Sequence, residues 1–181
     1  MLDFALSPSR GIFAAVKSVL FIFAFLLFGW SVRATTVAPD DQAIMGFMEQ
    51  NGIGYDSLCT NKELYREIIG WIGVRYKYAG KSKSGVDCSG FVSVICNKIY
   101  GTQLSGSAGS HFQKCIPIEK ELLQEGDLVF FKIRKTYISH VGLYLGNGKF
   151  IHAAVHGGVM VNDLSQAYYH KYYFASGRLI L

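Results

Sequence analysis

Several features that would indicate other classes of protein are missing from this chain of 181 residues. It has no internal repeat and no low-complexity tract, so its length suits one domain with a hydrophobic core of its own. It has no C-x-x-C pair, which argues against a zinc site of the common cysteine type. The apolar run at residues 19–30 is also short, because a membrane-spanning helix needs about 20 apolar residues.

The N-terminal segment nevertheless has the pattern of a targeting sequence. Arg10 and Lys17 form a basic region before the apolar run, and small or modest side chains follow at residues 32–34. This order predicts a cleaved secretory signal over residues 1–34, with an uncleaved N-terminal anchor as the alternative. No cysteine follows the run closely, so lipid attachment at that point is not indicated.

A strong charge of one sign is missing too. Without residues 1–34 the chain keeps 15 Lys and Arg against 12 Asp and Glu, which lowers the net charge from +5 to +3. This mild excess would help a protein stay near an anionic surface or polymer, but it is far below that of a nucleic-acid binder. We therefore expect no nucleic-acid partner.

The segment GVDCSGF at residues 85–91 is the most informative part of the sequence, because it places Cys88 at the start of a predicted helix. Asp87 is a good N-cap residue, and Gly85 and Gly90 allow tight turns and the close approach of a substrate. Unpaired N–H groups and the helix dipole favour an anion there, so we expect a thiol with a lowered pKa. The alternative is a small buried apolar residue at a helix start.

The predicted elements follow the order of an α+β domain, with helices first and strands after them. Residues 35–61 are interpreted as a leader with a short helix, and residues 62–181 as the domain, whose first helix is capped by Asn61. Residues 163–173 are expected to form a loop with one helical turn. The predicted strands, which form an antiparallel meander, are residues 128–133, 139–145, 149–154, 158–161 and 174–180.

Two of these strands carry His140 and His152, and the turn between them decides whether the two side chains share a face. A two-residue turn at residues 147–148 would pair His152 with Leu143 and separate the histidines. A three-residue loop at 146–148 would pair His152 with Gly142 and bring both rings to one face. On this reasoning, a joint role for the histidines requires the longer loop.

A cysteine at a helix start and a histidine facing it can form a nucleophilic pair, in which the thiol attacks and the imidazole takes and returns the proton. A second histidine can hold the first in its useful tautomer. Metal binding is an alternative, because His152 and His156 have the H-x3-H interval. That interval suits a helix, however, and the strand pattern around Gly157 and Gly158 argues against one.

Four motifs together resemble the NlpC-type family of bacterial cell-wall cysteine peptidases, in order over residues 62–181. They are GVRY at 73–76, GVDCSGF at 85–91, EGDLVFF at 125–131 and SHVGLYLGNGKFIHA at 139–153. The resemblance implies a papain-like α+β fold, in which a helix with the nucleophile packs on an antiparallel sheet. It also implies that Cys88 is the nucleophile, His140 the general base, His152 the residue that orients the base, and Tyr76 an oxyanion-side residue.

The implied reaction is hydrolysis of an amide bond in peptidoglycan stem peptides through a thioester, without metal or cofactor. The bond would be D-glutamyl to diaminopimelate or a diaminopimelate cross-link. The protein would be secreted across the inner membrane to the periplasm or cell envelope, with membrane contact only through an uncleaved N-terminal segment and a monomer favoured. A non-catalytic wall-binding domain is a further alternative, against which the presence of both nucleophile and base argues.

The remaining cysteines and histidines have no assigned role. Cys59 and Cys115 could form a disulfide with each other or with Cys96 in an oxidising compartment, although Cys96 has the spacing of a core residue. His111 and His170 are interpreted as incidental, with His111 a possible lining residue of the groove near Cys88.

Overall fold

The fold has its helices mainly in the first half of the chain and its sheet in the second. The computed structural model describes residues 39–56 and 60–180, so the predicted signal at residues 1–34 and Cys59 lie outside the described residues. The helices are α1 (Pro39–Gln50), α2 (Lys62–Ile69), α3 (Cys88–Tyr100), α4 (Ala108–Phe112) and α5 (Ala167–Tyr172). The strands are β1 (Lys81–Ser82), β2 (Gly85–Val86), β3 (Cys115–Ile118), β4 (Leu128–Phe131), β5 (His140–Gly146), β6 (Lys149–Ala154), β7 (Gly158–Asp163) and β8 (Tyr173–Leu179). This order confirms the α+β prediction.

The main sheet has six strands in the order β3-β8-β4-β5-β6-β7, and every neighbouring pair is antiparallel. The prediction of a continuous meander is correct for β4 to β7 and wrong for β8. After α5 the chain returns across the sheet, and β8 pairs with β4 on one side and with β3 on the other. The sequence also did not predict β3, a short strand that contains Pro117 at the sheet edge, where its missing N–H is tolerated.

Both faces of the sheet are covered, and alternation along the strands separates two apolar clusters. On one face Phe130, Val141, Leu143 and Ile151 are buried in the main core, where α3 packs on β5 and β6 and α2 packs on α3. On the other face a smaller cluster contains Val129, Phe131, Tyr144, Phe150 and Leu164, with Tyr169 and Tyr172 of α5 packed on it. Because both faces are buried, the register of each strand determines what its side chains contact.

The segment predicted as a leader packs on the domain. Ile44 and Met48 of α1 and the following Ile53 are buried in the main core, and Lys62 of α2 forms an ion pair with Asp41 at 2.8 Å. Residues 39–53 therefore contribute to the core of the domain. None of the helices in the described part of the chain is long and apolar enough to cross a membrane.

The hairpin between β5 and β6 brings the two histidines to one face by a route that the sequence did not predict. Gly146 pairs with Lys149, so the turn contains only Asn147 and Gly148, whose φ values of 48° and 74° suit a type I′ turn. Residue 145 is then an extra residue in β5, and beyond it Leu143 pairs with Ile151. This β-bulge aligns His152 with Gly142 although the turn is short. The requirement for a three-residue loop was therefore wrong, because a bulge gives the same register.

Candidate active site

The start of α3 is fixed by Asp87, as the sequence predicted. Its Oδ1 accepts a hydrogen bond from the Gly90 N–H at 2.6 Å and one from the Ser89 hydroxyl at 3.0 Å. Its Oδ2 accepts a hydrogen bond from the N–H of Ala79 at 2.8 Å, which ties the preceding loop to the helix. The position of Cys88, the first residue of α3, depends on both contacts.

Replacement of Asp87 by Ala is expected to lower the free energy of unfolding by about 1–2 kcal/mol, since an N-cap and a loop contact are lost together. Asp87→Asn is the matched control, because its one amide oxygen keeps the N-cap to Gly90 while its NH2 group cannot accept the Ala79 N–H, so it should lose only the loop contact, about 0.5–1 kcal/mol. Urea unfolding of both variants measures the difference. Equal losses in the two variants would contradict a capping role.

Cys88 lies in a protected environment, with 7% of its surface exposed. Burial raises the pKa of the thiol to about 11, the nearby Asp87 adds to this, and the N–H groups of Val141, Ser89 and Cys88 itself oppose it. The expectation of a lowered pKa is wrong for this site, because loss of hydration outweighs the favourable helix start. The resting site therefore holds a neutral thiol. The Val141 N–H that opposes the rise in this pKa belongs to β5, one residue after His140.

His140 and His152 are in direct contact on one face of the sheet. Nε2 of His140 lies 2.7 Å from Nδ1 of His152, and the two rings are nearly perpendicular. Gly142 lies between them, and a Cβ at this position would be 2.6 Å from the Phe150 ring and 3.3 Å from Cβ of His152. Burial lowers the pKa of His140 well below its usual value and that of His152 to about 4, so both rings are neutral at neutral pH.

Two residues that the sequence did not single out complete the surroundings of His152. Its Nε2 lies 2.9 Å from Oδ1 of Asn162 and 3.2 Å from the hydroxyl of Tyr169. Asn162 was missed because β7 was predicted to end at residue 161, whereas the strand continues to Asp163. His152 pairs with Met160, and Asn162 is two residues further along on the same face.

The predicted site residues lie around one cleft with a volume of about 510 Å³. Cys88, His140, His152 and Tyr76 all line it, so the structure brings the four predicted site residues together. An isolated backbone β-bridge between Tyr76 and Val86 holds this tyrosine beside the start of α3. The pKa of the Tyr76 hydroxyl is raised by burial and by the proximity of Cys88. In the described part of the chain no hydrogen bond joins Sγ of Cys88 to a histidine ring, an arrangement common in ligand-free sites.

The remaining histidines do not belong to this group. His111 is fully buried, with Nε2 at 3.1 Å from the hydroxyl of Ser93, and it does not line the cleft. His170 is exposed on α5. His156 lines the cleft, but β6 ends at Ala154 and both ring nitrogens of His152 have hydrogen-bond partners, so the H-x3-H interval forms no chelating pair. The described residues contain no cluster of three or more metal-ligating side chains.

The cysteines other than Cys88 are also in their thiol form where the structure describes them. Cys96 is fully buried in the main core, as its spacing predicted, and Cys115 is half-buried at the start of β3. Both are free thiols, so the Cys96–Cys115 disulfide is not formed. A disulfide with Cys59 lies outside the described residues.

Comparison with known proteins gives a consistent result. A model of the NlpC/P60 family matches residues 73–178. The chain is 37% identical over 124 residues to a probable endopeptidase NlpC homolog of Haemophilus influenzae, covering 68% of this chain and 66% of the relative. It is 32% identical over 130 residues to the murein DD-endopeptidase MepS/murein LD-carboxypeptidase of Escherichia coli, covering 70% of this chain and 69% of the relative.

Solved structures are similar over the same part of the chain. An NlpC/P60 family protein from Bacillus cereus has a TM-score of 0.61 at 29% identity, covering 67% of this chain and 41% of that one. A lipoprotein-like NLP/P60 family protein from Staphylococcus aureus has a TM-score of 0.62 at 30% identity, covering 70% and 43%. The chain thus spans about two thirds of the two curated relatives and less than half of the two solved chains.

Proposed function

Because this chain belongs to the NlpC/P60 family, we propose that it is a cysteine endopeptidase that hydrolyses amide bonds in the peptide stems of peptidoglycan. The predicted NlpC-type α+β fold is confirmed by the solved structures that it resembles. The observation that carries the functional proposal is the hydrogen-bonded pair of His140 and His152, which opens on the same cleft as Cys88.

In the proposed reaction the neutral thiol is activated only when the substrate is bound. Sγ of Cys88 attacks the amide carbon while its proton passes to Nδ1 of His140, and the carbonyl oxygen becomes an oxyanion. The N–H of Cys88 and the hydroxyl of Tyr76 stabilise this charge. His140 then donates the proton to the leaving nitrogen, the C–N bond breaks, and a thioester remains. Water, deprotonated by His140, hydrolyses the thioester and restores the thiol.

The charge of the cleft supports a substrate that bears carboxylates. Arg134 and Lys135 line one wall, and neither forms an ion pair with another described residue. The lining side chains that belong to residues 39–56 and 60–180 include no aspartate or glutamate. Peptide stems with free carboxylates match this charge. The bond cut is either D-glutamyl to diaminopimelate or a diaminopimelate cross-link, and the site of action is the periplasm or cell envelope.

The test is to incubate the full chain with purified peptidoglycan fragments of both bond types and to identify the products by mass spectrometry. We expect cleavage of one bond type by the unaltered protein and none by Cys88→Ala. The matched control is Cys96→Ala, which removes a core thiol that does not line the cleft and should retain cleavage, with circular dichroism to show that both variants are folded. Cleavage by Cys88→Ala at the unaltered rate would refute the proposal.

A further inference from the structure

We propose that Asn162 and Tyr169 are positioning residues of this site, which hold His152 in the one tautomer that lets His140 accept the Cys88 proton. This inference rests on the proposed function, because it assigns a role within the same reaction. It adds one residue of β7 and one of α5 to the group of Cys88, His140 and His152.

The orientation of Asn162 follows from its other partners. Its Nδ2, which can only donate, lies 2.9 Å from Oε1 of Gln166, and its Oδ1 accepts the hydroxyl hydrogen of Tyr169 at 3.2 Å. Oδ1 is therefore the atom that faces Nε2 of His152 at 2.9 Å. Since a carbonyl oxygen only accepts, Nε2 of His152 must carry a hydrogen and donate it. The hydroxyl of Tyr169 donates its own hydrogen to Asn162, so its oxygen accepts a hydrogen bond from the same Nε2–H of His152 at 3.2 Å.

The position of the hydrogen on His152 also determines which ring nitrogen of His140 carries a hydrogen. With its hydrogen on Nε2, neutral His152 has a lone pair on Nδ1, and His140 must donate from its Nε2 across the 2.7 Å contact. Neutral His140 then has its lone pair on Nδ1. That atom has no hydrogen-bond partner in the described part of the chain, and it is not among the buried unpaired atoms there, so it is open to the cleft.

The opposite set of tautomers would leave the site without a base. A hydrogen on Nδ1 of His152 would be donated to Nε2 of His140, and the hydrogen of His140 would then lie on Nδ1, toward the cleft that contains Cys88. A protonated nitrogen cannot accept the thiol proton, so attack would be blocked although every residue remained in place. The acceptors at Asn162 and Tyr169 exclude this state, because it would leave Oδ1 facing an unprotonated Nε2.

Both positioning residues are themselves held firmly. Asn162 lies within β7, where it pairs with Phe150, and its amide contacts Gln166 just before α5. The Tyr169 ring packs edge-on against Phe131 and Phe150, with centroid distances of 5.7 and 5.0 Å. Rigid support of this kind is what keeps a hydrogen-bonded group within the narrow range of useful geometry.

The first test reads the tautomers directly in the full-length protein without substrate. Histidine side-chain nitrogens labelled with ¹⁵N report which ring nitrogen carries hydrogen. We expect the Nε2–H form for both His140 and His152 in the unaltered protein. We expect an increased share of the Nδ1–H form in Asn162→Leu. A predominant Nδ1–H form of His140 in the unaltered protein would overturn the inference, whatever the activity.

The second test separates positioning from simple loss of structure by using two replacements at one position. Asn162→Leu removes the acceptor and should lower kcat at least about 10-fold with little change in KM, because the base and not substrate binding is affected. Asn162→Asp keeps the acceptor and should restore much of kcat. Its new charge stabilises the protonated histidine pair and should move the acid limb of the pH profile up by about 1–2 pH units. Tyr169→Phe keeps the ring packing and should give a smaller loss than Asn162→Leu.

Several other titratable or charged side chains lie around the cleft onto which His140 and His152 open, and they can also affect the pH profile. Among the described residues that line the cleft, these are Cys88 at the start of α3, Tyr76 beside it, His156 after β6, Tyr168 and Tyr169 of α5, and Arg134 and Lys135 after β4. Only Asn162 changes in the Asp variant, so a shift of the acid limb reports on His152, which it contacts, and on His140, which is hydrogen-bonded to His152. An unchanged kcat in Asn162→Leu, or an unshifted acid limb in an active Asn162→Asp, would overturn the inference.

The proposed function and this inference fail in different ways. If Cys88→Ala cleaves peptidoglycan as well as the unaltered protein, the proposed function is wrong, while the tautomer measurement still decides the hydrogen-bond directions. If Cys88→Ala is inactive and Asn162→Leu has full activity and an unchanged pH profile, only the inference is wrong.

Discussion

Replacement of His140 by Ala is expected to lower kcat at pH 7 by about 10⁴-fold. With the pKa of the Cys88 thiol at about 11, only about one molecule in 10⁴ carries a thiolate at pH 7. Without the imidazole to take the proton, hydrolysis depends on that small fraction. The residual rate should therefore increase about tenfold for each pH unit between pH 7 and pH 10, whereas the unaltered enzyme should not show this slope. Hydrolysis of a soluble stem-peptide substrate across this pH range measures it.

The matched control for His140→Ala is His170→Ala, which removes an exposed histidine that does not line the cleft. It should leave kcat and its pH dependence unchanged. Alkylation of Cys88 by iodoacetamide in His140→Ala should follow the same slope, after subtraction of the signal from a Cys88→Ala/His140→Ala variant that reports the other cysteines. A residual rate that does not vary with pH would show that the thiolate fraction does not limit the reaction.

Replacement of Gly90 by Ala is expected to lower the free energy of unfolding by about 2–3 kcal/mol and to reduce activity strongly as well. A Cβ at residue 90 would collide with the carbonyl oxygen of Gly80 and lie 3.1 Å from Oδ1 of Asp87. The first of these is a backbone atom in the loop that Asp87 ties to α3, so neither side can yield without moving the start of the helix. Cys88 would move with it, and a displacement of about 1 Å is enough to reduce turnover about 100-fold.

The matched control for Gly90→Ala is Gly46→Ala in α1, where a Cβ meets no atom within 4 Å. Because alanine favours a helix more than glycine does, this variant should be more stable by up to about 1 kcal/mol. Urea unfolding monitored by circular dichroism gives both values. A Gly90→Ala protein as stable as the unaltered one would mean that the loop yields easily at Gly80.

The predictions from sequence succeeded where local chemistry decides the structure. Asn61 and Asp87 cap α2 and α3 as expected, since their short polar side chains can accept the free N–H groups at a helix start. The role expected for Gly90 was different, because the close approach that it permits is by the Gly80 carbonyl of the protein itself. Nothing in residues 85–91 reveals that neighbour, which comes from the preceding loop.

The predictions were less successful where the structure depends on distant contacts. The thiol pKa was expected to fall because the helix start is visible in the sequence, whereas the burial that raises it comes from the whole fold. The pairing of β8 with β4 likewise joins two segments that are far apart in the chain, which no local pattern reveals. Asn162 was missed by a small error in the end of β7, and such errors at element ends are the hardest to avoid.

The bulge in β5 has a consequence for how this hairpin can change in length. A chain without Leu145 would keep the pairs Tyr144 with Phe150 and Leu143 with Ile151, so His140 and His152 would stay neighbours. Loss of one residue between His140 and Leu143 would instead carry His140 to the opposite side of the sheet and end its contact with His152. Loss of Leu145 would therefore remove a buried side chain and an acceptor for the Tyr65 hydroxyl but keep the register of the histidines, whereas a single deletion between His140 and Leu143 would destroy that register.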